Sequence, residues 1–281
     1  TNTQLGYKYS ISASVKQKIG KNFSSMLAYT NGMSKDLMNG VRVSAQANWN
    51  WNQTIEANNP RLSYSNFDIR HRIVGNLSYQ HKIKDKHTTT FGAFFLASSG
   101  SPFSYVYSGD INRDASSKND LIYVPSDASE INLVDITDGN GNVTVSAQEQ
   151  WEQLDAYIEN DSYLREQRGK YTERNGGRTP WNTQLDIHIG QEFIHRKNKT
   201  DHKFELTADI FNVLNLFNYR WGRQYYVPNT TNAGYALIKG KTNADGTNTT
   251  YQFFNPTSEP WQIDGIASRL QMQIGFRYTF L

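Results

Sequence analysis

Apolar and polar residues alternate without interruption along the closing stretch of the chain. Ile266, Ser268, Leu270, Met272, Ile274, Phe276, Tyr278 and Phe280 fall on one side of an extended backbone; Ala267, Arg269, Gln271, Gln273, Gly275, Arg277 and Thr279 fall on the other. Side chains alternate faces along a strand, so the pattern predicts a two-faced strand over 266–280. At roughly 3.3 Å per residue it would extend about 50 Å. The same alternation recurs at 5–17, 23–30, 70–82, 181–193 and 204–210. Residues 88–97 read as a further strand of undecided face, because Phe94, Phe95 and Leu96 are adjacent. Residues 41–51 alternate weakly, as an extra strand or a loop element. One helix is predicted near 147–159. Ser146 and Glu149 form a capping-box pair, and Trp151, Leu154 and Ile158 follow at helical spacing.

The connections between these strands alternate in length. Those at 18–22, 83–87 (with Asp85 and its neighbouring lysines) and 195–201 are short; those at 31–67, 98–178 and 218–265 are long. Tight turns on one side and large loops on the other are the habit of an outer-membrane barrel. Aromatics gather at the short-turn ends (Phe23, Tyr79, Phe91, Phe193, Phe204, Tyr278 and Phe280), where an inner interfacial girdle would lie. With both flanking loops on the same side, 31–67 must hold an even number of spanning strands; we take none. That leaves seven passes. Single-chain bacterial barrels have even strand numbers, and an open sheet in lipid leaves unpaired edges, so the chain is expected to be one part of a larger barrel. The fold class is all-β, an antiparallel transmembrane β-barrel with long external loops.

Composition changes this picture little. In 281 residues there is no apolar run long enough for a membrane helix, and mean hydropathy is −0.69; alternation dilutes the apolar residues of a barrel in the same way. Aromatics make up 13% of the chain. A net charge of +3 is too small to argue for nucleic acid. There is no cysteine and hence no disulfide. The chain opens in mid-pattern at Thr1, with no signal peptide.

Four stretches taken together resemble the carboxyl-terminal part of TonB-dependent outer-membrane receptors, specifically the Oar-like receptors of Bacteroidetes. They are Ser65-Asn-Phe-Asp-Ile-Arg-His-Arg-Ile73, Gly109-Asp-Ile-Asn-Arg-Asp114 with Asn119-Asp-Leu-Ile-Tyr-Val-Pro125, Arg174-Asn-Gly-Gly-Arg-Thr-Pro-Trp181, and Leu206-Thr-Ala-Asp-Ile-Phe-Asn-Val-Leu-Asn215. The resemblance implies a barrel of about 22 strands with a plugged lumen. It also implies a plug and a TonB-contacting segment elsewhere in the same protein. Phe276, Tyr278 and Phe280 look like the signal read by the barrel-assembly machinery, although the chain ends Phe280-Leu281 rather than on the phenylalanine. Expected partners are therefore outer-membrane lipid, the rest of the barrel and its plug, the TonB complex and the assembly machinery.

Few residues suggest chemistry. Asp110, Asn112 and Asp114 have the spacing of calcium-loop oxygens, with Asp120 as a further ligand. Ala115 and Leu121 stand where such a loop has Gly and Glu, and a cluster of Asx turns is the competing reading. No other cofactor is expected. Asp186 and His188 share one polar face, as an acid–base pair or as a lumen-facing network. Arg174 and Arg178 would bind an anionic ligand or hold a loop on the rim. Tyr219, Trp221, Tyr225, Tyr226 and Tyr235 would stack on a sugar or peptide, or pack a loop. No catalytic constellation is recognisable, and no enzyme is expected. Three functions compete: energised import through a plugged barrel, a structural or adhesive outer-membrane barrel, and a soluble β-sandwich whose apolar faces pack together.

Overall fold

The computed structural model describes every residue except 1–3, 39, 41–42, 85, 198–199, 229–233 and 281. The expectations for Thr1, Asp85, Leu281, the start of the 41–51 stretch and the middle of the 195–201 turn fall outside the described residues. Seven long strands dominate: β1 (Tyr7–Ile19), β2 (Phe23–Asp36), β3 (His71–Ile83), β4 (His87–Ser98), β5 (Asn182–Lys197), β6 (Thr200–Phe211) and β7 (Gln271–Phe280). They form one antiparallel meander in which neighbours in sequence are neighbours in the sheet. At roughly 3.3 Å per residue, a strand of 13 residues reaches about 43 Å, enough to cross a bilayer core when tilted. The long connections leave from one end of the sheet and the short ones from the other. Among the described residues, the outer edges of β1 and β7 have no strand beside them.

Register settles the doubtful faces. Phe91, Ala93, Phe95 and Ala97 lie opposite Tyr79, Leu77, Gly75 and Ile73, so they share the apolar face of β3. Phe94 lies opposite Asn76 and Asp186, and Leu96 opposite Val74 and Gln184, on the polar face.

The closing strand begins five residues later than its alternation predicts. A carboxylate oxygen of Asp264 accepts the backbone N–H groups of Ile266 and Ala267 (2.9 Å each), and the Asp264 carbonyl accepts that of Ser268 (3.0 Å). This local capping competes with a sheet ladder, so Ile266, Ser268 and Leu270 precede the strand as a turn. The ten residues that remain span about 34 Å. The second strand runs on to Asp36, six residues past its expected end, and among the described residues from there to 67 no further strand spans the wall. The weak alternation there is a helix, Ala45–Asn50, whose N-cap Ser44 accepts the N–H of Ala47.

The apolar core lies in the long connections rather than against the sheet. Phe103, Tyr105, Ile122, Leu154, Leu237 and Phe253 are all buried there. The long connections at 98–178 and 218–265, expected as loops between strands, contain strands of their own. Pro102–Ser108 is the centre of a four-stranded mixed sheet, flanked by Gly177–Arg178 and, in parallel, by Gly234–Thr242, which pairs on with Thr249–Phe253. Residues 99–181 and 212–270 thus fold together into one cap at the end of the wall.

The helix appears as expected, over Ala147–Asn160, with the Ser146 hydroxyl accepting the N–H of Glu149 at 3.2 Å. Leu154 and Ile158 are buried, and so is Gln150. The Gln150 amide donates to the Val134 carbonyl (2.9 Å) and accepts the N–H of Phe253 (2.9 Å), tying the helix to the hairpin of the other long connection. Gln150→Leu keeps the volume but leaves both buried groups unpaired, so it is expected to cost the cap about 1–3 kcal/mol per group. Amide hydrogen exchange checks this: the Phe253 amide should exchange faster while those of β3 to β5 do not change.

Candidate functional site

The sheet presents two chemically different faces. On the polar face, His188 Nδ1 and Asp209 Oδ1 stand 2.6 Å apart across β5 and β6. Asp186 does not join that pair: its carboxylate accepts the Gln184 amide (2.8 and 3.0 Å) and the N–H of Asn212 (2.8 Å). Glu192 lies directly opposite Glu205, an unfavourable pairing. Lys203 bonds to Glu192 at 2.5 Å and Arg277 lies 3.6 Å from Glu205, compensating both charges.

On the other face Leu27, Ile189, Leu206, Ile274 and Phe276 are exposed. Aromatics mark both ends of this face. Toward the short turns, Phe193, Phe204 and Tyr278 form one cross-strand row, with Phe204 and Tyr278 centroids 5.0 Å apart and Phe280 6.2 Å beyond. Toward the cap, Tyr29, His71 and Trp181 stack at 6.0 and 5.9 Å. Amphipathic rings collect where acyl chains meet headgroups, so the two groups mark the borders of an apolar band. Phe276, Tyr278 and Phe280 are all exposed on the apolar face of β7.

At the cap end, the Arg174–Arg178 turn clasps the wall. The Arg174 guanidinium bonds to Asn52 Oδ1 (2.6 Å), to the Asp36 carbonyl (2.6 Å) and to the Asp36 carboxylate, and is only 1% exposed. Burial pushes its pKa down, and Asp36 opposes the shift. Arg178 bonds to the carbonyl (2.8 Å) and carboxylate of Asp68, and its guanidinium lies over the Tyr64 ring beside that of Arg70. Asn175, in the left-handed region at φ 59°, sends its amide to the Tyr64 carbonyl (2.8 Å) and Asn66 Oδ1 (2.7 Å). A Cβ on Gly176 would stand 2.0 Å from the Tyr163 hydroxyl, and one on Gly177 2.7 Å from the Phe103 ring, so the turn needs glycine for close approach. Both arginines hold the turn against the 37–70 connection and the end of β2, and Arg178 also lines a cavity beside the turn. Arg174 has no open face for a ligand.

The Asp110 loop is built of Asx turns. Asp110 accepts the N–H groups of Asp114 and Ala115 (3.0 Å each), Asn112 accepts that of Asp114 (3.0 Å), and Asp114 accepts that of Ser116 (2.9 Å). Arg113 and Ala115 take positive φ. Asp120 faces inward and accepts the N–H groups of Ile111 (2.6 Å) and Asn112 (3.3 Å). Among the described residues, no group of three or more His, Asp or Glu side chains could hold a metal ion. Each of Asp110, Asn112, Asp114 and Asp120, the expected calcium ligands, thus accepts a backbone N–H group of this loop.

The five candidate aromatics do not converge on one platform. Tyr219 and Trp221 are exposed, with Arg220 and Arg223 over the Tyr219 ring. Tyr225 and Tyr226 pair as a short strand with Gln262–Ile263. Tyr235 packs edge-on against Tyr105, 5.9 Å away, in the cap core. A cavity of about 540 Å³, lined by Arg70, Tyr157, Tyr163, Glu166, Arg178 and Trp261, lies beside the clasp. Sequence reasoning missed this cavity. Of its lining, Arg70, Gly176, Gly177 and Arg178 belonged to recognised motifs, and the helical spacing in 147–159 pointed to Trp151 rather than Tyr157.

Comparison with curated proteins and with solved structures gave no match. Residues 5–253 match the family described as outer membrane beta barrel domain. That span holds β1 to β6 and nearly all of the cap; β7 lies beyond it and continues the same sheet. A wall apolar on one face and charged on the other, bordered by aromatics at both ends, is what that family requires, and the chain belongs to the outer membrane β-barrel family, whose place is the bacterial outer membrane.

Proposed function

We propose that this chain supplies wall and external cap to a TonB-dependent receptor, a larger plugged barrel that takes up a ligand with energy delivered from the inner membrane. One observation carries the larger barrel in this reading: among the described residues, the seven long strands leave the outer edges of β1 and β7 without a neighbour. Unpaired backbone groups at a strand edge cost several kcal/mol each in lipid, so further strands must close the wall. The charged face, with its His188–Asp209, Glu192–Lys203 and Glu205–Arg277 pairs, then looks into a lumen wide enough for a plug. The four stretches that resemble Oar-like receptors support the finer assignment. Two of them meet in the clasp, where Asp68 pairs with Arg178 and Asn66 with Asn175. The test compares three strains grown in one defined medium: parent, receptor deletion and TonB deletion. Energised uptake leaves the same compound unconsumed in both deletions. A structural or adhesive barrel leaves no such shared compound, and that result would retire the transport reading.

A further inference from the structure

A second cavity, of about 420 Å³, opens where all three long connections meet: Glu56 comes from the first, Tyr107, Asp120, Tyr123 and Tyr171 from the second, and Tyr251 from the third. Four tyrosine rings line it, together with Ile55, Ile111, Leu121 and Ile131. Tyr107 and Tyr251 lie 5.3 Å apart in a tilted pair, and Tyr123 and Tyr171 5.3 Å apart edge to face. Its charged lining is all acidic, comprising Asp120, Glu56 and Glu130, with no lysine or arginine. Asp120 is 4% exposed. One of its carboxylate oxygens takes the two backbone N–H groups of the Asx loop; the other, Oδ1, is buried with no hydrogen-bond partner. Glu130 is engaged by the Tyr123 hydroxyl (3.1 Å) and the N–H of Ser126 (2.7 Å).

A buried carboxylate oxygen without a donor costs free energy unless a donor or cation arrives. Aromatic faces attract cations, most strongly when desolvated. We propose that this cavity binds an organic cation, an alkylammonium or guanidinium group, with Asp120 as its counter-ion and the tyrosine rings as its box. Free amines and the lysine or arginine side chains of peptides share this chemistry. The inference does not rest on the transport reading, since a cation site in the cap would stand whether or not the barrel is energised.

The groups facing Asp120 predict how binding varies with pH. Burial pushes its carboxyl up to about 6, the Ile111 and Asn112 N–H groups pull it down, and the Asp114 and Asp110 carboxylates push it further up. Glu56, Glu130 and the hydroxyls of Tyr107, Tyr123, Tyr171 and Tyr251 complete the lining that titrates. A bound cation favours the ionised form. Affinity is therefore full above about pH 6 and falls as pH drops through it, with proton uptake on release of the cation.

The test is calorimetric titration of the intact barrel protein that contains this chain, purified in detergent, with n-butylammonium, arginine methyl ester and a short lysine-containing peptide. n-Butanol serves as the uncharged control, and calcium is titrated separately. The cations should bind and butanol should not, with proton release at pH 5.5 and none at pH 8. Asp120→Asn, which keeps an acceptor for the Ile111 N–H, should weaken cation binding about tenfold or more, the scale of one charged hydrogen bond. Tyr251→Leu should weaken it with Asp120 intact, which guards against a folding defect in the first variant. Free amines binding more tightly than the peptide would assign the site to small solutes, and the reverse to peptide side chains. Either outcome supports the site. Equal binding of cations to wild type and Asp120→Asn, no cation binding at millimolar concentration, or binding of calcium alone would each overturn it.

Discussion

Arg174→Ala is expected to release the cap from the wall while leaving the wall folded. The Arg174 guanidinium is buried and bonded to Asp36 at the end of β2 and to Asn52 in the 37–70 connection, although it stands in the 99–181 connection. Removing one partner of a buried ion pair leaves the other uncompensated and typically costs about 3–5 kcal/mol. Asp36 is less than a third exposed, so the charge left behind sits in a poorly solvated site. The Asn175 contacts and the Arg178–Asp68 pair follow within the same turn, so the loss should spread along it. Limited proteolysis reads this directly: cleavage within 99–181 should rise sharply, while strand circular dichroism changes little. Arg174→Lys keeps the charge but not the fork that bonds Asn52 and Asp36 together, and should fall between wild type and alanine. Unchanged cleavage in the alanine variant would mean that the clasp does not hold the cap.

How much of this was legible in the sequence follows from the range of the interactions involved. Alternation along a strand is a local signal, and it located the wall strands; the register that decides whether Phe94 or Phe95 faces outward is not local, and it appeared only when Phe94 was found opposite Asn76 and Asp186. The beginning of β7 failed for the opposite reason. Asp264 is a local competitor that overrides a continuing apolar alternation, and its acceptor role was readable two residues ahead of Ile266. The cap was missed because its central strand, Pro102–Ser108, is buried on both faces. Phe103, Tyr105 and Tyr107 alternate with Ser104 and Val106, a strand signal, yet its partners lie more than 70 residues away at Gly177 and more than 120 away at Gly234. The cation cavity draws on three separate connections, and no spacing in the chain brings Tyr251 to Asp120.

The second large effect distinguishes the two faces of β7. Ile274 lies opposite Ala208 on the apolar face, and Gln273 opposite Asp209 on the polar one, a single residue apart. An arginine facing lipid near the bilayer midplane costs about 2–4 kcal/mol, whereas one facing the lumen is tolerated. Ile274→Arg should therefore destabilise the folded wall by about that amount. Gln273→Arg, which places a cation beside Asp209, should be near neutral. Guanidinium unfolding in lipid vesicles measures both. Tryptophan at the same positions reports location independently of stability: brominated acyl chains should quench Ile274→Trp strongly and Gln273→Trp weakly. Burial of the apolar stripe against another protein layer, as in a β-sandwich, would also penalise Ile274→Arg, but it would shield Ile274→Trp from the bromines. A costly arginine together with an unquenched tryptophan at 274 would thus place this face against protein, and the bare edges of β1 and β7 would then have to be explained without a membrane wall.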